Sequence, residues 1–241
     1  MQGDLQAVCP GLLGITKDAG NQWFLQFLTS VKTLPQLARL RRSTVLKIAG
    51  IGKTYAALIE SWQGRAHFSE EVEWVGEMIQ EDALRVVELE KKITVLEGKL
   101  AEIAQGSMAA RILASTPGFG LICSTELAGE IGTVERFGSE ASLALYLGMC
   151  PLDNGSGQYQ GTKAPQQVNA RAKMAMLTAM DRHRKRVPES QQYYQKKRSE
   201  GKKHNQALRA LGRHLTRVIY RMLVQERDYE IRGSQPLEGV P

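Results

Sequence analysis

The stretch Val72–Ile103, VEWVGEMIQEDALRVVELEKKITVLEGKLAEI, decides the fold class. Val72, Val75, Ile79, Asp82, Val86, Leu89, Ile93, Leu96, Leu100 and Ile103 fall on alternating steps of three and four, and only Asp82 interrupts the apolar seam. That is a heptad pattern, which keeps a narrow apolar stripe on one side of a helix. Because the seam is narrow and its flanks are charged, a single copy would expose it. We therefore expect a coiled-coil helix over residues 69–105, opened by Ser69 with Glu70 and Glu71 complementing the dipole of the first turn. Homodimerisation through residues 72–103 follows, and further pairing to a tetramer stays open. The alternative is a long helix folded back on its own bundle.

On either side lies a similar pattern. Val45–Ile59 carries an apolar lead-in, the hairpin Gly50-Ile51-Gly52, then Lys53 and an apolar helix. Leu113–Leu127 repeats it 68 positions later with Gly118-Phe119-Gly120. Glycine permits the tight reversal, and the helix that follows aims free N–H groups at an anion. Both read as helix-hairpin-helix units, with Gly50, Gly52, Gly118 and Gly120 near a phosphate and Lys53 contacting it. The bland reading of each is a packing corner, and Leu121, standing where the first copy has lysine, is assigned to packing.

The net charge of +7 is unevenly spread. Residues 163–227 hold 17 Lys/Arg against 4 Asp/Glu, a surplus of 13, which leaves −6 for the remainder. Tyr193, Tyr194 and Tyr220 interleave with this charge, a composition that attracts a phosphate backbone. A helix over Asn205–Gln225 would bury Leu208, Leu211, Leu215, Val218, Ile219 and Met222. Arg209, Arg213, Arg217 and Arg221 then form a ridge about 20 Å long at ~1.5 Å per residue. Like charges at this spacing repel, so a polyanion or carboxylates elsewhere should compensate. Lys163, Arg171 and Lys173 are assigned to the same contact, with Pro165 opening a helix that carries the last two.

Cys9, Cys123 and Cys150 show no paired spacing, and no signal segment or membrane-length apolar run is present, which points to a soluble cytoplasmic protein. His67, His183, His204 and His214 form no ligand cluster, so no metal or cofactor site is expected, and each reads as a surface or phosphate-facing residue. Smaller elements are a helix over Asn21–Thr29, another starting at Thr33-Leu34-Pro35, and a Ser139-capped helix ending at Gly148. The fold is thus mainly α. It divides into an N-terminal helical linker with the first hairpin (1–68), the coil (69–105), a basic helical domain with the second hairpin and an irregular serine loop (106–230), and a flexible tail (231–241).

That loop holds Gly155-Ser156-Gly157. A serine hydroxyl needs a base or metal to become a nucleophile, and residues 153–163 supply no histidine. The nearby acids Asp153, Glu126 and Glu130 do not make a two-metal site. Physics alone stops at a helical nucleic-acid-binding protein.

Residues from about Thr116 to Leu223 resemble the C-terminal domain of DEDD-type, bridge-RNA-guided insertion-sequence transposases, the IS-one-ten family with the related Piv-type DNA invertases. The resemblance rests on Pro117-Gly118-Phe119-Gly120, Glu126 through Gly132, Arg136-Phe137, Leu143 through Cys150-Pro151, Ser156-Gly157 and Lys202-Lys203-His204 to Leu215. It implies that Ser156 is the nucleophile that joins covalently to a DNA strand. It also implies partners in DNA and guide RNA, and a nucleoid-associated bacterial setting. The family's metal-binding Asp-Glu-Asp-Asp carboxylates lie in an N-terminal RuvC-like domain, so Mg²⁺ is expected with that domain and none in this chain. The expectation is a C-terminal part of a transposase, inactive alone. Val168-Asn169 stands where many relatives have Gly-Asn. The alternative is a non-catalytic nucleic-acid-binding and oligomerisation module.

Overall fold

The computed structural model describes residues 1–150, 152–156, 159–163 and 168–230, with the backbone alone described for 152–156 and 159–163. Two compact units divide the chain, Met1–Leu96 and Glu97–Pro241. Both are mainly helical.

In the first unit, α1 (Gln2–Val8), a 3₁₀ turn at Pro10–Ile15, α2 (Gln22–Thr29) and a second 3₁₀ turn at Leu34–Arg39 precede α3 (Arg42–Val45) and α4 (Lys53–Gln63). Their apolar faces meet around Phe24, Phe27, Leu28, Ile59 and Trp62, all buried. Trp62 packs edge-on against Phe27 and Phe68 at 6.3 and 6.2 Å between centroids. Carbonyls at element ends would be left without partners, and two glutamines serve them. The Gln63 amide donates to Leu37 and Leu40 carbonyls (2.8 and 3.0 Å), and the Gln80 amide to Leu28 and Val31 (2.9 and 2.8 Å).

The long helix α5 runs Val72–Gln105. It starts three residues later than the sequence suggests, and the Ser69 N–H donates to the Val8 carbonyl (3.0 Å) at the end of α1. Val72, Gly76, Ile79 and Ala83 are its buried residues. They sit one turn apart, and Asp82, expected in the seam, is exposed and pairs with the Met1 ammonium (3.3 Å). Beyond them Leu89, Ile93, Leu96 and Ile103 are 48, 53, 62 and 71% exposed.

The second unit comprises α6 (Met108–Ala114), α7 (Leu121–Ile131), α8 (Glu140–Tyr146), a hairpin of β1 (Leu152–Ser156) and β2 (Tyr159–Lys163), then α9 (Ala170–Arg186), α10 (Pro188–Ser199) and α11 (His204–Val224). Its core joins Leu113, Phe119, Leu127, Leu143, Met176, Met180, Leu215 and Met222. Ser139 caps α8 by accepting from the Ser142 N–H. The strands are antiparallel with Ser156 opposite Tyr159 and Leu152 opposite Lys163, so a regular backbone ladder stands where an irregular loop was expected. Nor does Pro165 open α9. The helix begins at Ala170, where the Asn169 side chain accepts from the Ala172 N–H (3.0 Å) and sets the start. Pro165 and the tail 231–241 lie outside the described residues.

Both glycine hairpins precede helices, with Gly52 at the N-cap of α4 and Gly120 at that of α7 and no side chain capping either. The first lead-in is shorter than its apolar run suggests, since α3 stops at Val45 and turns carry the chain to Gly50. Gly50 (φ +84) and Gly118 (φ +94) take backbone conformations reserved largely for glycine.

Candidate nucleic-acid interface

The positive charge resolves into cations paired within the protein and cations that face outward. Arg171, on the first turn of α9, holds Glu126 through Nε and Nη2 (2.6 and 3.0 Å) and reaches Glu130 at 3.1 Å. The guanidinium keeps the Glu126 carboxyl below its usual range. Arg217 donates to Glu140 on α8 (2.6 Å). Arg184 binds Asp181 and Gln191 and stacks over Tyr194 at 4.2 Å. Among the described residues, the compensating carboxylates anticipated for the ridge are therefore present for one of its four arginines.

Arg209 and Arg213, one turn apart on α11, line a groove of about 350 Å³ with Tyr193, Lys197, Lys202 and Gln206. α10 buries no residue of its own and presents this row because α11 holds it by two aromatic-imidazole contacts. Tyr193 Oη and His214 Nε2 lie 2.9 Å apart, and Tyr194 Oη and His204 Nδ1 2.7 Å. Lys197 is bridged to Glu200 (2.7 Å) and stands 5.4 Å from the Tyr193 ring centroid. The third interleaved tyrosine, Tyr220, donates to the Phe137 carbonyl (3.1 Å). These tyrosines serve the fold first.

Other sequence-assigned residues sit elsewhere. Gly50, Gly52 and Lys53 belong to the first unit, where a Cβ on Gly50 would lie 2.9 Å from Trp23 Cβ. Gly118 is pressed on α9, with a Cβ there 2.5 Å from the His183 nitrogen. Lys173 is half-buried, its stem over Gly148, where Val168 also packs. The Ser156 and Lys163 side chains lie outside the described residues.

Sequence reading missed two groups. His183 is buried rather than surface or phosphate-facing, because α9 carries it under the α6–α7 turn. There its Nδ1–H donates to the Pro117 carbonyl (2.7 Å), an acceptor that fixes the tautomer. Burial pushes this imidazole below its ordinary 6.5, and the Pro117 bond opposes only part of that. The unfolded chain thus takes up a proton below 6.5 that the folded one resists. Stability is full above that value and declines as pH falls from it toward the lower folded value. The urea midpoint should drop between pH 7 and 5, and less steeply in His183→Gln. His214, also pushed down, adds in the same direction.

The second group frames the serine segment. Asn169 Nδ2 donates to Glu130 (2.6 Å) and to Tyr146 Oη (2.8 Å), which itself donates to the Glu130 carbonyl (2.9 Å). The Asn169 N–H also binds the Tyr146 carbonyl (3.0 Å). Asn169→Ala removes a cap and two side-chain bonds, so unfolding in urea should show a loss of about 1–2 kcal/mol. Its place after Val168 was visible in the sequence, but no pattern there links it to Glu130, 39 residues away.

Glu126 and Glu130 do not fit Mg²⁺, since Arg171 occupies both, and among the described residues no group of three His, Cys, Asp or Glu could hold a metal. Among these residues no helix is long and apolar enough to cross a membrane.

Residues 110–195 match the protein family described as "Transposase IS116/IS110/IS902 family". The chain is 33% identical over 151 residues to the "Insertion element IS900 uncharacterized 42 kDa protein" of Mycobacterium paratuberculosis, covering 62% of this chain and 37% of that protein. It is 32% identical over 144 residues to the "Insertion element IS110 uncharacterized 43.6 kDa protein" of Streptomyces coelicolor, covering 59% and 36%. A third relative, the "Insertion element IS116 uncharacterized 44.8 kDa protein" of Streptomyces clavuligerus, is 29% identical over 146 residues, covering 60% and 37%. The matches thus span little over a third of these relatives' length.

Proposed function

We propose that this chain, which carries over residues 110–195 a domain of the IS116/IS110/IS902 transposase type, is a DNA-binding part of a transposase. In this reading the α10–α11 face holds the phosphate backbone, and Ser156 is the nucleophile whose oxygen joins the DNA phosphorus while a sugar oxygen leaves. Of the seam expected over residues 72–103, Val72 and Ile79 are buried in the first unit's own core, and the part from Leu89 to Ile103 pairs two copies. A guide RNA is a second polyanion suited to the same face, and the bacterial nucleoid is where the protein acts.

The observation that carries the reading is the α10–α11 groove, in which Arg209 and Arg213 stand beside Lys197 and Lys202. A rigid row of cations beside an aromatic ring suits a phosphodiester chain, whose condensed counterions are released when the cations arrive. The test is anisotropy of a labelled duplex across a series of salt concentrations. Log affinity should fall linearly with log salt, by about 0.9 per phosphate neutralised. Affinity that ignores salt, or no binding, would reject the groove as the contact. A structured RNA run in parallel tests the guide. In a strand-transfer reaction that traps a protein–DNA adduct, Ser156→Ala should abolish the adduct, and an adduct that persists removes Ser156 from the role.

A further inference from the structure

The pairing of copies rests on the reading above, and the charges beside the seam go further by fixing how the copies align. With Val86, Ile93 and Leu100 at the first heptad position and Leu89, Leu96 and Ile103 at the fourth, each first position is preceded by Arg85, Lys92 or Lys99. Each fourth position is followed by Glu90, Glu97 or Ala104. One flank of the seam is therefore basic and the other acidic.

In a parallel, in-register pair, the residue before a first position meets the residue after the next fourth position on the other helix. Arg85 then faces Glu90 of the second copy and Lys92 faces its Glu97, and the two-fold axis makes each pair occur twice. In an antiparallel pair like flanks meet, cation against cation and carboxylate against carboxylate. Side-chain shape agrees, since β-branched Val86 and Ile93 at first positions with Leu89 and Leu96 at fourth positions favour two parallel strands. Leu100 and Ile103 reverse that order in the last half-heptad. Val86 is half-buried against the first unit's own core and Leu100 is half-buried, while the charged flanks are available. Leu89, Ile93, Leu96 and Ile103 are exposed, and no ion pair within the chain uses Arg85, Glu90, Lys92, Glu97 or Lys99 among the described residues.

We propose that two copies of this chain associate as a parallel, in-register, two-stranded coil over Leu89–Ile103, with Arg85–Glu90 and Lys92–Glu97 bridging between copies. Both chains then pass into α6 from the same end of the coil.

Leu89→Cys and Ile103→Cys, made separately in the whole chain, test the alignment. The positions are 14 residues apart, about 21 Å along a helix, so an antiparallel pair can bring at most one of them to its own copy. The native Cys9, Cys123 and Cys150 are buried, and the unsubstituted chain supplies the background. Under mild oxidation both variants should form disulfide-linked dimers. Linking of one or neither, with a dimer by sedimentation, overturns the parallel register but leaves dimerisation intact. A monomer at all concentrations removes the dimer as well, and a trimer or tetramer through this coil removes the two-stranded form. Charge gives an independent readout. Lys92→Glu should weaken the dimer roughly tenfold, from two pairs each turned from attraction to repulsion, and adding Glu97→Lys should restore it. If Lys92→Glu tightens the dimer, like flanks were meeting, and the antiparallel arrangement stands instead.

Discussion

Gly118→Ala should cost the second unit about 3 kcal/mol or more and lower its thermal midpoint by roughly 10 °C. Two effects combine. The added Cβ sits in a backbone with φ +94, and it lies 2.5, 2.7 and 2.8 Å from His183 N, His183 Cα and Arg182 C. These are main-chain atoms of α9, so no side chain can rotate away. The α6–α7 turn must lift, breaking the Pro117–His183 bond that the same approach makes possible. Calorimetry checks this against Gly129→Ala, an exposed α7 position whose Cβ would meet nothing within 4 Å. That change should be neutral or stabilise by up to about 1 kcal/mol, as alanine does inside a helix. An equal loss in both variants would mean that close packing on α9 is not what Gly118 provides.

The second large effect is on binding. Arg209→Glu with Arg213→Glu should weaken DNA binding roughly 100-fold near 0.1 M salt and flatten the salt slope by about 2. The two arginines share the groove with Lys197 and Lys202, so reversal removes two phosphate partners and places two anions where the strand would lie. Neither has an ion-pair partner among the described residues, which leaves the fold little affected. Circular dichroism should confirm that. Arg217→Gln should produce a smaller binding loss and some loss of stability, because that side chain is tied to Glu140. Equal binding losses in both variants would show that the ridge, not the groove, meets the strand.

Much of the helical framework could be read from periodicity. The stripe Leu208, Leu211, Leu215, Ile219, Met222 is buried as its spacing requires, and Ser139 caps where a hydroxyl before an apolar run should. Local patterns failed where a distant partner decides. Ser69 looks like a cap, yet α5 starts at Val72 and Ser69 is tied instead to the end of α1 through the Val8 carbonyl. Arg171 and Arg217 look alike in a basic tail with Arg209 and Arg213, yet Glu126 and Glu140, on helices 45 and 77 residues earlier, claim them. The two Gly-x-Gly turns read alike as well. One closes on Trp23 and the other on the α9 backbone, so the first duty of Gly50 and of Gly118 is packing.

The bond from Asn169 N–H to the Tyr146 carbonyl has a further consequence, because it joins the two ends of the segment that bears Ser156. Its closure is shared between this bond, which α8 and α9 fix, and the β1–β2 ladder within it. For a chain tied at both ends, doubling the length costs only about 0.6 kcal/mol. Added length in this segment would therefore cost little and leave the helices that anchor it in place.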